Sequence, residues 1–82
     1  MKLDNFILIL KKIGIMGDLG MRTTRQALAT NTKSMSPSSV YRYCAQLKAL
    51  GFIEYENGTC VFLTAEGIRL LKSQGELKYE LQ

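Results

Sequence analysis

Ser36-Pro37-Ser38-Ser39-Val40-Tyr41-Arg42 is followed, four residues on, by Leu47-Lys48-Ala49-Leu50-Gly51-Phe52-Ile53, and the reading of this stretch decides the fold. Ser36 offers a side-chain oxygen to cap a helix. Pro37 suits the first helical position, where its missing amide costs nothing, and Met35 can staple onto Val40. The spacing predicts a helix through Leu50 that closes at Gly51, with Val40, Tyr43, Cys44, Leu47 and Leu50 on its core side. Projection at about 100° per residue puts Ser38, Tyr41, Arg42, Ala45 and Ala49 on the opposite side. That side forms a shallow, polar-edged ridge of a kind a major groove admits, although taken alone Ala45 and Ala49 are better explained by the helix propensity of alanine.

C-terminal to this helix, Phe52-Ile53-Glu54-Tyr55-Glu56 and Thr59-Cys60-Val61-Phe62-Leu63 flank Asn57-Gly58, a strong hairpin signal. A two-residue turn there pairs Tyr55 with Cys60 and Ile53 with Phe62, and puts all four on one packed face. Thr64 then caps a helix from Ala65 to about Gln74, with Ile68 and Leu71 inward and Leu70 at its flank. Leu70, Gln74, Leu77 and Leu81 continue at alternating spacings of four and three, which suits either a helix-pairing seam or a frayed terminus.

N-terminal to it, Thr23-Thr24-Arg25-Gln26 has the form of a capping box, with Thr23 bonding the Gln26 amide. A short helix follows from Thr24 to about Thr30, ended by Asn31 in the left-handed conformation. Asp4 or Asn5 caps a first helix that runs to about Ile13 and stops at Gly14, with a stripe of Leu3, Phe6, Ile7, Leu10 and Ile13. Leu8 and Ile9 fall outside the stripe, so this helix needs a second neighbour. That neighbour is either another subunit or the C-terminal segment of the same chain.

The 82 residues suit one domain, with no repeat or linker; they are 46% hydrophobic and 22% charged, the balance of a folded chain rather than a disordered one. Residues 1–50 hold eight bases and two acids, a charge of +6, whereas residues 51–82 hold three bases and five acids, a charge of −2. No acid lies between Asp18 and Glu54, while Arg22, Arg25, Lys33, Arg42 and Lys48 do, so this stretch is either an electrostatic footprint for nucleic acid or a solvated face. Phe6-Ile7-Leu8-Ile9-Leu10 is too short for a signal-peptide core or a membrane span, which leads to the expectation of a cytoplasmic protein with no membrane partner. Cys44 and Cys60 lack metal-ligand spacing and the chain has no histidine; they are read as two buried reduced thiols, or as one disulfide if the fold joins them. No acid–base pair, activated nucleophile or phosphate loop can be assembled, and Gly14-x-x-Gly17-x-x-Gly20 fits no nucleotide fingerprint. An enzyme, a cofactor, a metal and a small-molecule ligand are therefore not expected.

Leu28-Ala29, the Ser36–Arg42 segment, Leu47–Ile53 and Phe62-Leu63-Thr64-Ala65-Glu66-Gly67 together resemble the winged helix-turn-helix regulators, in particular the small multiple-antibiotic-resistance and arsenic-repressor types. The likeness covers roughly residues 23–74 and leaves 75–82 as a tail. It implies a mostly α fold with a small antiparallel hairpin (α+β), in the order helix, short strand, helix, helix, hairpin, helix. It also implies that the third helix lies in the major groove of duplex DNA. Carried over by position, Ser36, Ser38, Ser39, Tyr41 and Arg42 become base-reading candidates, with Arg42 able to bond guanine bidentately. Arg22, Thr24, Arg25, Lys33 and Lys48 become phosphate candidates. The chain departs from the pattern in a longer turn before the third helix, and in a wing that carries Glu54 and Glu56 but no base. The expectation is a homodimeric, sequence-specific transcription regulator, with Leu8, Ile9, Leu70, Leu77 and Leu81 as dimer candidates. The alternative is a winged-helix protein-interaction or replication/partition module with little base-specific binding.

Overall fold

A computed structural model describes residues 3–56 and 58–74. Among these the chain is mostly helical with one small antiparallel sheet, an α+β arrangement. The order is α1 (Leu3–Asp18), α2 (Arg25–Asn31), α3 (Pro37–Ala49), β1 (Ile53–Glu54), β2 (Phe62–Leu63) and α4 (Ala65–Ser73). The predicted α3 is borne out at both ends. The Ser36 hydroxyl accepts the Ser39 amide, Pro37 opens the helix, and Gly51 takes φ +85°. The Gly51 and Phe52 amides then donate to the Lys48 and Leu47 carbonyls, which closes the last turn.

α1 runs a turn and a half past its expected end, and Asp4 and Asn5 lie inside it. Neither Gly14 nor Gly17 stops it; Gly20 does, at φ +73°, with the Gly20 amide on the Gly17 carbonyl and the Met21 amide on that of Met16. The extension seats Met16 in the core. The buried stripe is Ile9, Leu10, Ile13 and Met16, with Phe6 and Ile7 half-buried beside it and Leu3 exposed. Ile9 therefore belongs to the core, and as a dimer candidate it is corrected: it is wholly buried within its own chain.

α2 is capped by Thr24, not Thr23, because the Thr24 hydroxyl accepts the Ala27 amide. The Thr23 hydroxyl is committed elsewhere, donating to the Met21 carbonyl at 3.1 Å, while the Thr23 carbonyl accepts the Val61 amide at 2.7 Å. At the other end Asn31 remains helical and Thr32 forms the cap, with no left-handed residue other than glycine among those described.

The hairpin register is shifted by one residue from expectation. Ile53 pairs with Leu63 and Glu54 with Phe62. A one-residue slip exchanges the faces of the second strand. Val61 is buried and Leu63 half-buried, whereas Cys60 and Phe62, expected inside, face out. The cause is a third segment: Thr24 bridges Cys60 in antiparallel fashion, and the chain before α2 thereby fixes how β2 lies. Leu50 is likewise not in the core; it sits at the α3 cap and is 61% exposed.

α4 begins as expected, with the Thr64 hydroxyl accepting the Gly67 amide and donating to the Gly51 carbonyl. Leu71 is fully buried, and Ile68 and Leu70 are half-buried. The Leu77 and Leu81 part of the seam lies outside the described residues.

Candidate nucleic-acid interface

α3 turns Val40, Tyr43, Cys44 and Leu47 into the core, so the geometry of the helix obliges its other side to face solvent. Ser38, Tyr41, Arg42, Ala45 and Ala49 are all exposed there. The core side is anchored by Tyr43, whose ring meets Phe6 edge-on at 5.0 Å and whose hydroxyl accepts from the Asn5 side chain. The three serines at the start of α3 form one hydroxyl cluster, Ser36 lying 2.9 Å from Ser39 and 3.3 Å from Ser38. Ser36 is engaged in capping and Ser39 is half-buried; Ser38 and Arg42 stand on the outer face.

The phosphate candidates divide into two groups. Arg22 and Lys33 are exposed, on the segments before and after α2. Thr24, Arg25 and Lys48 are instead built into contacts. The Thr24 hydroxyl caps α2. Lys48 donates to the Tyr55 carbonyl at 2.6 Å, lies 4.6 Å from the Tyr55 ring centroid and sits 3.7 Å from the Glu54 carboxylate, so it fastens α3 to the hairpin. The Arg25 guanidinium lies against two aromatic rings, 5.5 Å from the Tyr41 centroid and 4.7 Å from that of Tyr55.

Around Arg25 the structure gathers residues from three parts of the chain. Thr24, Arg25 and Gln26, Tyr41 of α3, and Gly58 and Thr59 of the hairpin loop line one open cleft of about 210 Å³. The hairpin tip carries no base, which argues against a grip on the minor groove through an Arg or Lys there, yet Gly58 and Thr59 lie in this cleft. Spacing alone held no signal for this cleft, since the bridge from Thr24 to Cys60 creates it. Tyr55 is buried, as a packed hairpin residue should be, and it also supports both cations.

The two cysteines are both free and have opposite surroundings. Burial pushes the Cys44 thiol up to about 11, partly offset by the positive charge of Arg25. Of the remaining dimer candidates, Leu8 is half-buried and lines an open cleft with Asp4, Ile7, Lys11 and Gln74, while Leu70 is half-buried against the core. Among the described residues no group of three His, Cys, Asp or Glu is placed to hold a metal, and no helix is long and apolar enough to cross a membrane. No family model, curated protein or solved structure matches the chain.

Proposed function

We propose that this chain is a sequence-specific, double-stranded DNA-binding transcription regulator of the winged helix-turn-helix kind, acting as a homodimer with α3 in the major groove. The observation that carries the reading is the division of α3 into a buried face and an exposed face of Ser38, Tyr41, Arg42, Ala45 and Ala49, set in a stretch with five bases and no acid. Small side chains in mid-helix let the backbone approach a groove floor closely, and an exposed guanidinium supplies the two parallel donors that guanine O6 and N7 accept. The isolated Thr24–Cys60 bridge supports the same reading, because its Thr24 side lies between α1 and α2, where the winged-helix order has a short strand.

In this mechanism α3 enters the groove by its N-terminal half. Arg42 reads base edges, with Ser38 beside it as a shorter donor and acceptor. Arg22 and Lys33, on the flanking segments, hold the register by contacts to phosphates, which carry affinity and salt dependence but no sequence information. The test is a titration of the protein onto random-sequence duplex and onto the DNA upstream of its own coding region, at two salt concentrations, beside Arg42→Ala. The expected result is salt-sensitive binding that prefers one duplex, with about 1–3 kcal/mol of that preference lost in the variant.

The exposed apolar residues Leu19, Leu50 and Phe62 favour a second reading, a protein-interaction module of replication or partition assemblies. Binding that is equal on every duplex and indifferent to Arg42 would select it.

A further inference from the structure

Of the five bases between Asp18 and Glu54, Arg25 alone is half-buried; Arg22, Lys33, Arg42 and Lys48 are exposed. Arg25 opens α2, yet its guanidinium lies against α3 and the hairpin, over the Tyr41 ring at 5.5 Å and the Tyr55 ring at 4.7 Å. It is also near enough to buried Cys44, on the inner side of α3, for its positive charge to favour the thiolate there. The cation is therefore directed inward and is occupied by contacts within the chain.

These contacts form a relay from the hairpin to the outer face of α3. Tyr55 is the fixed end, being buried, with its carbonyl bonded by Lys48 and its ring in contact with both cations. Tyr41 is the exposed end, beside Arg42, and it borders the open cleft that Gly58 and Thr59 line from the hairpin loop. That cleft leaves the Tyr41 ring room to turn away from the outer face. A guanidinium in contact with the ring opposes the turn, because the attraction between a cation and a π-face is lost when the two separate. A tyrosine has only two side-chain torsions to fix, so one such contact removes much of the freedom it would otherwise lose on binding.

We propose that Arg25 is a positioning residue for base reading and not a phosphate ligand: it holds the Tyr41 ring to the outer face of α3 and, through Tyr55, joins the hairpin to the reading helix. The inference rests on the DNA-binding reading above and removes Arg25 from the phosphate candidates that the resemblance carried over. It requires no free donor on Arg25, since the contact with the rings is what acts on Tyr41.

The experiment selects preferred sites from random duplex and measures affinity over a series of salt concentrations. It compares the full chain with Arg25→Gln, Arg25→Lys, Tyr41→Leu and the paired Arg25→Gln and Tyr41→Leu variant, with thermal midpoints alongside. Loss of a phosphate contact in Arg25→Gln would lower the slope of log affinity against log salt by about 0.9 and weaken every duplex equally. Loss of positioning instead leaves the slope as it was and relaxes the preference at one base position by about fivefold or more. The expected result is this second pattern, at the same position that Tyr41→Leu relaxes, with no further relaxation in the paired variant. Arg25→Lys keeps the charge a phosphate would need but not the planar guanidinium that meets two rings, so it shows the same relaxation in smaller degree; it carries the test where Arg25→Gln does not fold. A reduced salt slope in Arg25→Gln overturns the proposal and returns Arg25 to the phosphate contacts, with the DNA-binding reading intact. Uniform weakening or no change at an unchanged slope, or additive effects of Arg25→Gln and Tyr41→Leu, overturns it as well. Absence of binding to any duplex overturns both readings.

Discussion

Gly67 is fixed by its neighbour, not by its own backbone angle. A Cβ placed there would lie 2.1 Å from the carbonyl oxygen of Phe52, the same oxygen that accepts the Thr64 amide, so the start of α4 rests directly on the end of the α3 turn. A backbone atom cannot rotate away as a side chain can. Gly67→Ala should therefore destabilise the chain by about 1–3 kcal/mol, although alanine is the better helix former, and a denaturant midpoint measures it. Cys44 supplies a second prediction at this scale. Its folded pKa is raised from 9.0 to about 11 by burial, so the native state keeps a proton that the unfolded chain releases. The associated stability is fully present below pH 9 and is lost as pH rises towards 11. Urea unfolding across that window should show a decline of up to roughly 3 kcal/mol that Cys44→Ala lacks. A thiol reagent at pH 8 should label exposed Cys60 and leave Cys44 unmodified until unfolding.

Among the elements, those set by adjacent residues were legible in the sequence and those set by distant partners were not. Ser36-Pro37 and Thr64 cap helices within three residues of themselves, and α3 closes at Gly51 by bonds from the Gly51 and Phe52 amides to the Lys48 and Leu47 carbonyls, so nothing beyond the local stretch is needed to recognise them. The end of α1 is different: Gly14, Gly17 and Gly20 all satisfy the local rule, and the choice falls to the one that leaves Met16 in the core. The hairpin register failed for a similar reason. The turn closes as Asn57-Gly58 predicts, with the Thr59 amide on the Glu56 carbonyl, but Val61 bonds Thr23 from far along the chain, and β2 beyond it pairs one residue out of the expected register. Within the site, Arg42 and Ser38 were visible from helical projection, whereas the cleft around Arg25 depends on the Thr24–Cys60 bridge. The two caps also differ in a testable way. Ser36 satisfies one amide, while the Thr64 hydroxyl caps α4 and donates at 2.6 Å to the Gly51 carbonyl, so it joins two elements. Ser36→Ala should cost about 1 kcal/mol and Thr64→Ala about 2 kcal/mol, with Thr64→Ser recovering most of the difference, as read from thermal midpoints.

At the scale of the whole molecule, size constrains how the proposed regulator reads DNA. The described residues span about 31 × 28 × 23 Å, and α3, the proposed recognition helix, has 13 residues and is about 20 Å long. Such a helix follows the major groove for only part of a turn and reaches few base pairs, each worth about 1–3 kcal/mol of discrimination. That is too little to select one site among the many competing sites of a genome, and a second α3 doubles it. In the proposed homodimer, two copies about 30 Å wide related by a two-fold axis would have to set their α3 helices 34–36 Å apart, the separation of major-groove faces one turn apart. Half-buried Leu8 and Leu70 remain as the described apolar residues proposed for that contact, since Ile9 is used in the core. Sites selected from random duplex should accordingly converge on an inverted repeat with half-sites centred about 10 base pairs apart. Binding should saturate at two chains per site, and insertion of about five base pairs between the half-sites, which rotates one to the opposite side of the duplex, should abolish joint occupancy. A selected motif with no symmetry, saturated by one chain, would reject the homodimer while leaving the reading of bases by α3 in place.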